Sequence, residues 1–315
     1  MTPAEITSND IDVHAHWFPP RVIEAFDRLG SRKAWPPHGD SLGERAEQLA
    51  YSSFATQILG LGHNQPSFPD RDASVQCAQL CNDLYAEEIA KYPQNFKAFG
   101  TVPLPHVAEA VSEAHRCLYE LGFAGIGIGT TAGDLSLSDE KLYPLWEFLD
   151  EERSVVFVHP VGTPDTFTRG MEAYLLGPKL GGPHEAGLAG IHLTVSGVTQ
   201  RFPNIKWILA PMGGTLLYLS RRFEEISECL GQTDLLEHNP ADALRHLYFD
   251  TTLSDDPAVL QFAINAVGTE QLVLGTDSPR VNPSSWLEAV TSGLGSGNGE
   301  LDAVRFGNAR DKLGL

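Results

Sequence analysis

The chain has 315 residues, with 22 Lys and Arg set against 41 Asp and Glu, a formal charge of −19. That balance excludes a nucleic-acid partner, because phosphate binding needs clustered basic side chains. Apolar residues make up 42% before 30 glycines are counted, which is too apolar for a disordered chain at this charge.

No apolar run approaches the roughly 18 residues needed to cross a bilayer, so no membrane association is expected. Met1 to Asp10 (MTPAEITSND) has neither the basic start nor the apolar stretch of a secretory signal, and a cytoplasmic location is expected. Cys77, Cys81, Cys117 and Cys229 lack Cys-x-x-Cys pairing and read as reduced thiols.

Along the chain, a short β-branched or aromatic run is followed by a turn and then by an amphipathic segment, again and again. This is the pattern of βα units around a parallel sheet. The strands are expected at Ile11–His14, Phe54–Leu59, Lys97–Val102, Gly122–Ile128, Ser154–His159, Lys206–Ala210, Leu247–Thr251 and Leu272–Thr276. Helices are expected at Ala73–Lys91, Val107–Leu121, Asp139–Glu151, Glu185–Arg201, Thr215–Leu230, Pro257–Ala266 and Pro283–Thr291, with Ser138 as an N-cap and Gly122 as a C′ residue.

Eight such units predict an α/β fold, a (β/α)8 TIM barrel spanning 1–315 as a single domain. Residues 17–52 are rich in Pro and Gly and read as a lid or insertion after strand one. Gly162 to Gly187 reads as an extended loop after strand five. The Gly125 to Gly129 run (GIGIG) has no following Lys-Ser/Thr and is needed as a strand, so a phosphate loop is excluded.

In a parallel barrel the chemistry lies where the strands end. Strand one ends in Asp12-Val13-His14-Ala15-His16, strand five in His159-Pro160, strand seven in Asp250 and strand eight in Asp277. His14 and His16, two apart on a strand, point to one side, as both imidazoles must to hold one ion. Taken singly, His159 reads as a strand-end histidine bonded to a carbonyl, and Asp277 as a turn or cap before Pro279. Together they converge on one mouth. Three imidazoles and a carboxylate suit a divalent metal, Zn2+ first and Mn2+ as the alternative.

The segments IDVHAHWFPP, FVHP, SGVTQRFPNIKWILA, LYFDT, LVLGTDSP and the final GNARDKLGL together resemble the amidohydrolase superfamily. The resemblance is to the branch holding aminocarboxymuconate semialdehyde, resorcylate-type and 6-methylsalicylate decarboxylases. It implies metal ligands at His14, His16, His159 and Asp277, proton transfer by Asp277, and a homodimer.

The resemblance also places a His at the end of strand six, where this chain reads Leu209-Ala210-Pro211-Met212-Gly213-Gly214. Proline offers no side-chain donor, acceptor or proton. His63, His184, His238 and Asp250 are the candidate substitutes, with His184 and His238 reading more simply as surface residues. Glu185 stands where the resemblance implies a polar or basic substrate contact.

Trp17 follows the His pair and could wall an aromatic substrate or simply fill the core. Arg169 and Arg280 lie in loops at the site end, where either could bind a carboxylate bidentately, although a loop Arg is by default solvated. The expected substrate is therefore a small aromatic or enoic carboxylic acid, held by Trp17, His63, Arg169 and Arg280. The negative chain must supply positive potential locally, from the metal and an Arg.

Decarboxylation and hydrolysis are both open to such a site. Without a strand-six His, water activation is the more impaired, which favours a nonoxidative decarboxylase. The alternatives are a hydrolase, cyclase or other rearranging enzyme, or a binding protein with a relic site.

Overall fold

A computed structural model of the chain describes residues 9–30, 41–50, 54–162, 171, 174–225, 243–253, 255–281, 283–295 and 299–315. Eight parallel strands form one sheet in sequence order. They are β1 (Asp10–His16), β2 (Phe54–Gly60), β3 (Phe96–Thr101), β4 (Gly125–Gly129), β5 (Val155–His159), β6 (Lys206–Leu209), β7 (Leu247–Asp250) and β8 (Leu272–Val273). The seam between β8 and β1 is closed by backbone bonds from Val13 N–H to Leu274 O (2.8 Å), Asp277 N–H to His14 O (2.8 Å) and His16 N–H to Ser278 O (2.7 Å). The sheet is therefore a (β/α)8 barrel. β8 is shorter than the expected Leu272–Thr276, because beyond Val273 the chain is held by these seam bonds and no longer by a ladder with β7.

The helices around it are α1 (Pro20–Arg28), α2 (Leu42–Ala50), α3 (Arg71–Ile89), α4 (Val107–Tyr119), α5 (Tyr143–Glu151), α6 (Gly182–Val195), α7 (Val198–Arg201), α8 (Leu216–Glu224), α9 (Pro257–Val267) and α10 (Pro283–Leu294). Both α1 and α2 lie within 17–52, and α1 buries Val22, Ala25 and Phe26.

Three sequence expectations are corrected. The expected helix Glu185–Arg201 is two helices, because Gly197 adopts a left-handed φ of 78° between α6 and α7. The stretch expected as an open loop to Gly187 is already helical from Gly177, through one wide turn (Gly177–Gly181) into α6. Ser138 is not a cap: Asp139 accepts from Lys141 N–H, while Ser138 Oγ lies 3.1 Å from His192 Nδ1. The segment around Cys229 and the end of the helix expected to run to Leu230 lie outside the described residues.

Strand alternation sorts side chains between the barrel interior and the helices. Val155 and Phe157 of β5 face inward with Ile58, Phe99, Ile208 and Val273, while Val156, Val158, Trp207 and Leu209 join the outer core. On β4 the isoleucines, Ile126 and Ile128, belong to the outer core, so the glycines occupy the inner face. That leaves room for the Phe99 and Phe157 rings, stacked at 5.2 Å and 8°.

The C-terminal segment Ala303–Leu313, wound with π-type turns, adds Ala309 and Leu313 to the interior cluster. Its Arg305 makes a two-pronged pair with buried Asp10, at 2.8 and 2.7 Å. Burial raises the Asp10 carboxyl above its usual range, and the Arg305 bonds and charge pull it back down.

Arg305→Met removes that compensation and is expected to cost about 3 kcal/mol at neutral pH. The sign follows from linkage. A carboxyl whose folded pKa is raised favours the folded state most when protonated, and that contribution is lost as pH rises through the folded value. The penalty should therefore be larger at pH 7 than near pH 5 in urea unfolding curves.

Candidate metal centre

β1 carries a bulge: Asp12 pairs with Gln57 while Ala15 pairs with Leu59, so between these pairs β1 has one residue more than its partner. Bulges re-aim side chains. Here Ile11 and Val13 fill the interior below the extra residue, and His14 and His16 turn into the mouth above it.

His14 Nε2 lies 3.0 Å from His16 Nε2, and Asp277 Oδ1 lies 3.1 Å from His16 Nε2 and 3.7 Å from His14 Nε2. The His159 ring stands nearly perpendicular to both, with centroids 5.0 Å from His14 and 5.1 Å from His16. One ligand atom from each of His14, His16, His159 and Asp277 falls within 4.8 Å of the others. The Phe157 ring, 5.0 Å from His14, forms the floor.

The tautomers follow from the partners. His14 Nδ1 faces Asp250 Oδ2 at 2.5 Å, His16 Nδ1 faces the Gly60 carbonyl at 2.9 Å, and His159 Nδ1 faces the Pro160 carbonyl at 2.8 Å. None of these acceptors can donate, so each neutral ring carries its proton on Nδ1 and presents an Nε2 lone pair to the centre. Two lone pairs at 3.0 Å repel unless a cation lies between them. Metal–nitrogen bonds of about 2.0–2.1 Å place neighbouring ligand nitrogens about 3.0–3.4 Å apart. The four residues thus fit a divalent ion.

Electrostatics favour neutral rings at His16 and His159. Burial holds His159 well below the usual histidine value, and the neighbouring His14 and His16 charges push it further down. Burial also lowers His16, only partly offset by Asp277. For His14 burial acts the same way, but the Asp250 bond and charge outweigh it and raise the ring. Burial opposes ionising Asp277, yet its bond to His16 and the His14, His16 and Arg280 charges hold it below the carboxylate range. His16 and His159 are thus held neutral beside an ionised Asp277, while His14, whose protonation Asp250 favours, would release its Nε2 proton on binding an ion.

Two buried carboxylates hold these ligands. Asp250, at the end of β7, accepts from Met212 N–H (2.7 Å) on Oδ1 and from Thr252 Oγ1 (2.8 Å) on Oδ2 beside His14. Gly275 makes room for this pair: a Cβ there would lie 2.9 Å from His14 Cβ and 3.0 Å from Asp250 Cβ.

Asp12 accepts from His14 N–H (3.1 Å), Gln57 Nε2 (2.8 Å), Thr276 N–H (3.0 Å) and Thr276 Oγ1 (2.6 Å), joining β1, β2 and the end of β8. Burial pushes its carboxyl up to about 6 despite those donors. Sequence reading named Asp250 as a substitute for the strand-six His; the structure turns it to the far side of His14 instead. It passed over Asp12, although an Asp within an apolar strand was a legible sign of a hydrogen-bonded buried charge.

Asp250→Asn keeps one acceptor oxygen and sets an NH2 against either His14 Nδ1–H or Met212 N–H. The unmet buried donor should cost about 1–3 kcal/mol, read by denaturant unfolding of metal-free protein.

The expected substrate contacts fall in different places. Trp17 is buried and packs edge-on against Tyr85 of α3, so it belongs to the outer core. The reason is alternation: Phe18, the next residue, stacks on His16 at 5.8 Å. His63 lies beyond Phe18, 6.2 Å ring to ring, with Asn64 Nδ2 at 2.9 Å from its Nε2. Arg280 Nε stands 3.7 Å from Asp277 Oδ2. Arg169 and His238 lie outside the described residues.

Glu185 is committed to backbone donors just past His159. It is buried on α6, where its Oε2 accepts from Val161 N–H and Gly162 N–H, each at 2.9 Å, anchoring the chain just after His159. Pro211 lies two residues past β6, next to Met212, whose N–H is the one held by Asp250.

Known proteins show the same architecture. A 6-methylsalicylic acid decarboxylase of Penicillium expansum is 31% identical over 277 residues, covering 85% of this chain and 84% of its own. A 2-amino-3-carboxymuconate-6-semialdehyde decarboxylase of Dictyostelium discoideum is 29% identical over 251 residues, 77% and 67% of the two chains. A dihydroxybenzoic acid decarboxylase from Polaromonas sp., solved with manganese and the inhibitor 2-nitroresorcinol, superposes with a TM-score of 0.85, with 24% identity and 98% of each chain covered. The amidohydrolase family model matches residues 11–315. With nearly the whole barrel matched, from the strand that carries the His pair to the C-terminal helix, the chain belongs to the amidohydrolase family.

Proposed function

We propose that this protein is a metal-dependent nonoxidative decarboxylase of a small aromatic carboxylic acid, with His14, His16, His159 and Asp277 as metal ligands. The observation that carries the reading is the convergence of three imidazole Nε2 atoms, each with Nδ1 committed to an acceptor, on one ionised carboxylate. The relatives' names point the same way: salicylate-type, carboxymuconate-type and dihydroxybenzoate decarboxylases. Zn2+ suits the donor set, and the Polaromonas relative was solved with manganese.

His14, His16, His159 and Asp277 would hold a divalent ion, which would supply positive charge toward an anionic substrate. Asp277, ionised at rest, gains a proton from a ring hydroxyl of the substrate or from solvent and delivers it to the ring carbon bearing the carboxylate. A C–H bond forms there, the C–C bond then breaks, its electron pair returns to the ring, and carbon dioxide leaves. Arg280, beside Asp277, favours the ionised form between turnovers and is placed to meet an anionic substrate. Phe18 and His63 offer ring surfaces on the β2 side. Within 17–52, helices α1 and α2 serve as the cover, tied to the site where Arg45 of α2 donates to the His16 carbonyl at 2.9 Å.

Hydrolysis needs a base for water and an acid for the leaving group. Pro211 supplies neither at the end of β6, which leaves decarboxylation as the better match. Trapping carbon dioxide from a panel of hydroxybenzoates incubated with Zn2+- or Mn2+-loaded protein tests the reading. Release from at least one member is expected. Consumption of an ester or lactone with no carbon dioxide from any acid would overturn it, and failure to retain metal would mark a relic site.

A further inference from the structure

We infer that Gln65, locked by Thr101, is a positioning residue for His16. This rests on the reading of His16 as a metal ligand. The end of β2 and the loop after it touch the His16 ring on two sides. Gly60 O receives the Nδ1 proton, and Gly62, at φ +56°, lies so close that a Cβ would sit 2.6 Å from His16 Cε1 and 2.9 Å from Nδ1. The backbone at Gly62 is thus the wall against which the ring rests, and whatever holds that backbone holds the ring.

What holds it is a buried chain of side-chain bonds reaching out to the helices. Gln65 Nε2 donates to Gly62 O at 2.8 Å, and Thr101 Oγ1 donates to Gln65 Oε1 at 2.8 Å, so both ends of the carboxamide are committed and its orientation is fixed. Thr101, the last residue of β3, is clamped in turn by Asn82 of α3. Asn82 Oδ1 accepts from Thr101 N–H at 2.9 Å, and Asn82 Nδ2 donates to Thr101 O at 2.8 Å and to Glu113 Oε1 at 2.6 Å. Arg116 closes the chain with two bonds to Glu113, at 2.7 and 3.0 Å. Gln65, Thr101, Asn82 and Glu113 are all buried. Within such a chain each group has one arrangement that satisfies it, so removing a link frees the loop behind the ligand.

The test is Zn2+ affinity of the whole protein, measured by competition with a chromophoric chelator, alongside the visible spectrum of the Co2+-loaded form. Gln65→Leu and Thr101→Val should each weaken Zn2+ binding about tenfold or more, the size of loss seen when an outer partner of a metal ligand is removed, and should alter the Co2+ bands. Thr101→Ser keeps the hydroxyl and should restore both readouts. Thr101→Val is nearly isosteric and carries the test if Gln65→Leu does not fold. Zn2+ affinity and Co2+ bands unchanged in both variants would overturn the inference, as would a Thr101→Ser variant as weak as Thr101→Val. A His16→Ala variant that binds Zn2+ like the parent would instead sink the metal-ligand reading itself, so the two failures are distinguishable.

Discussion

Replacing His159 by Ala is expected to leave the purified protein without stoichiometric metal and without carbon dioxide release, and His14→Ala should do the same. Each deletes one of the four donors that meet within 4.8 Å. The loss in affinity should exceed the roughly 10–100-fold that follows from removing an outer hydrogen-bond partner. Metal analysis after dialysis reads it directly.

A thermal readout independent of turnover is also available. Ligand at about a thousand times its Kd stabilises a folded protein by about 4 kcal/mol, so adding Zn2+ should raise the Tm of the parent and leave that of His159→Ala where it was. His159 is the cleaner position. Its Nδ1 bonds the neighbouring Pro160 carbonyl, whereas truncating His14 also strands the buried Asp250 carboxylate. A His159→Ala protein that still holds one equivalent of metal would contradict the proposed ligand set.

Asp277→Asn should separate chemistry from metal binding. Asparagine keeps a carbonyl oxygen for the ion, but it cannot carry a proton and lacks the charge that His14, His16 and Arg280 stabilise. Metal should remain, more weakly held, while carbon dioxide release falls by about 10²–10⁴, the usual worth of a positioned acid or base. The position is also conformationally unusual. Asp277 has φ +60°, a left-handed geometry that asparagine adopts as readily as aspartate, so the exchange tests charge and proton rather than backbone. Turnover within a few fold of the parent would move proton delivery to another group, with His63 the first to examine.

How far the site was legible from sequence depends on what each residue's function requires. The His14, His16 pair could be read because strand alternation is local: two residues apart means one face. His159 and Asp277 could be read because they end apolar runs, and strand ends in a parallel barrel share one rim. Trp17 was ambiguous for the same local reason. It sits on the alternate face, and only the packing of Tyr85 against it decided between substrate wall and core. Asp250 was visible as a polar strand end, but its direction was not. Whether it faced the mouth or the back of His14 depended on the approach of β7 to β1, which Gly275 permits.

The sequence by itself therefore determined the barrel, the order of its strands and the four residues that meet as candidate donors, since these follow from hydrophobic periodicity and from chemistry written at strand ends. Tertiary structure alone decided which nitrogen His14 and His16 present, because their tautomers are set by partners far away in the chain, Asp250 for His14 and Gly60 for His16. It also decided the bulge that brings His14 into the mouth, since an extra residue on one strand exists only relative to the register of its neighbour.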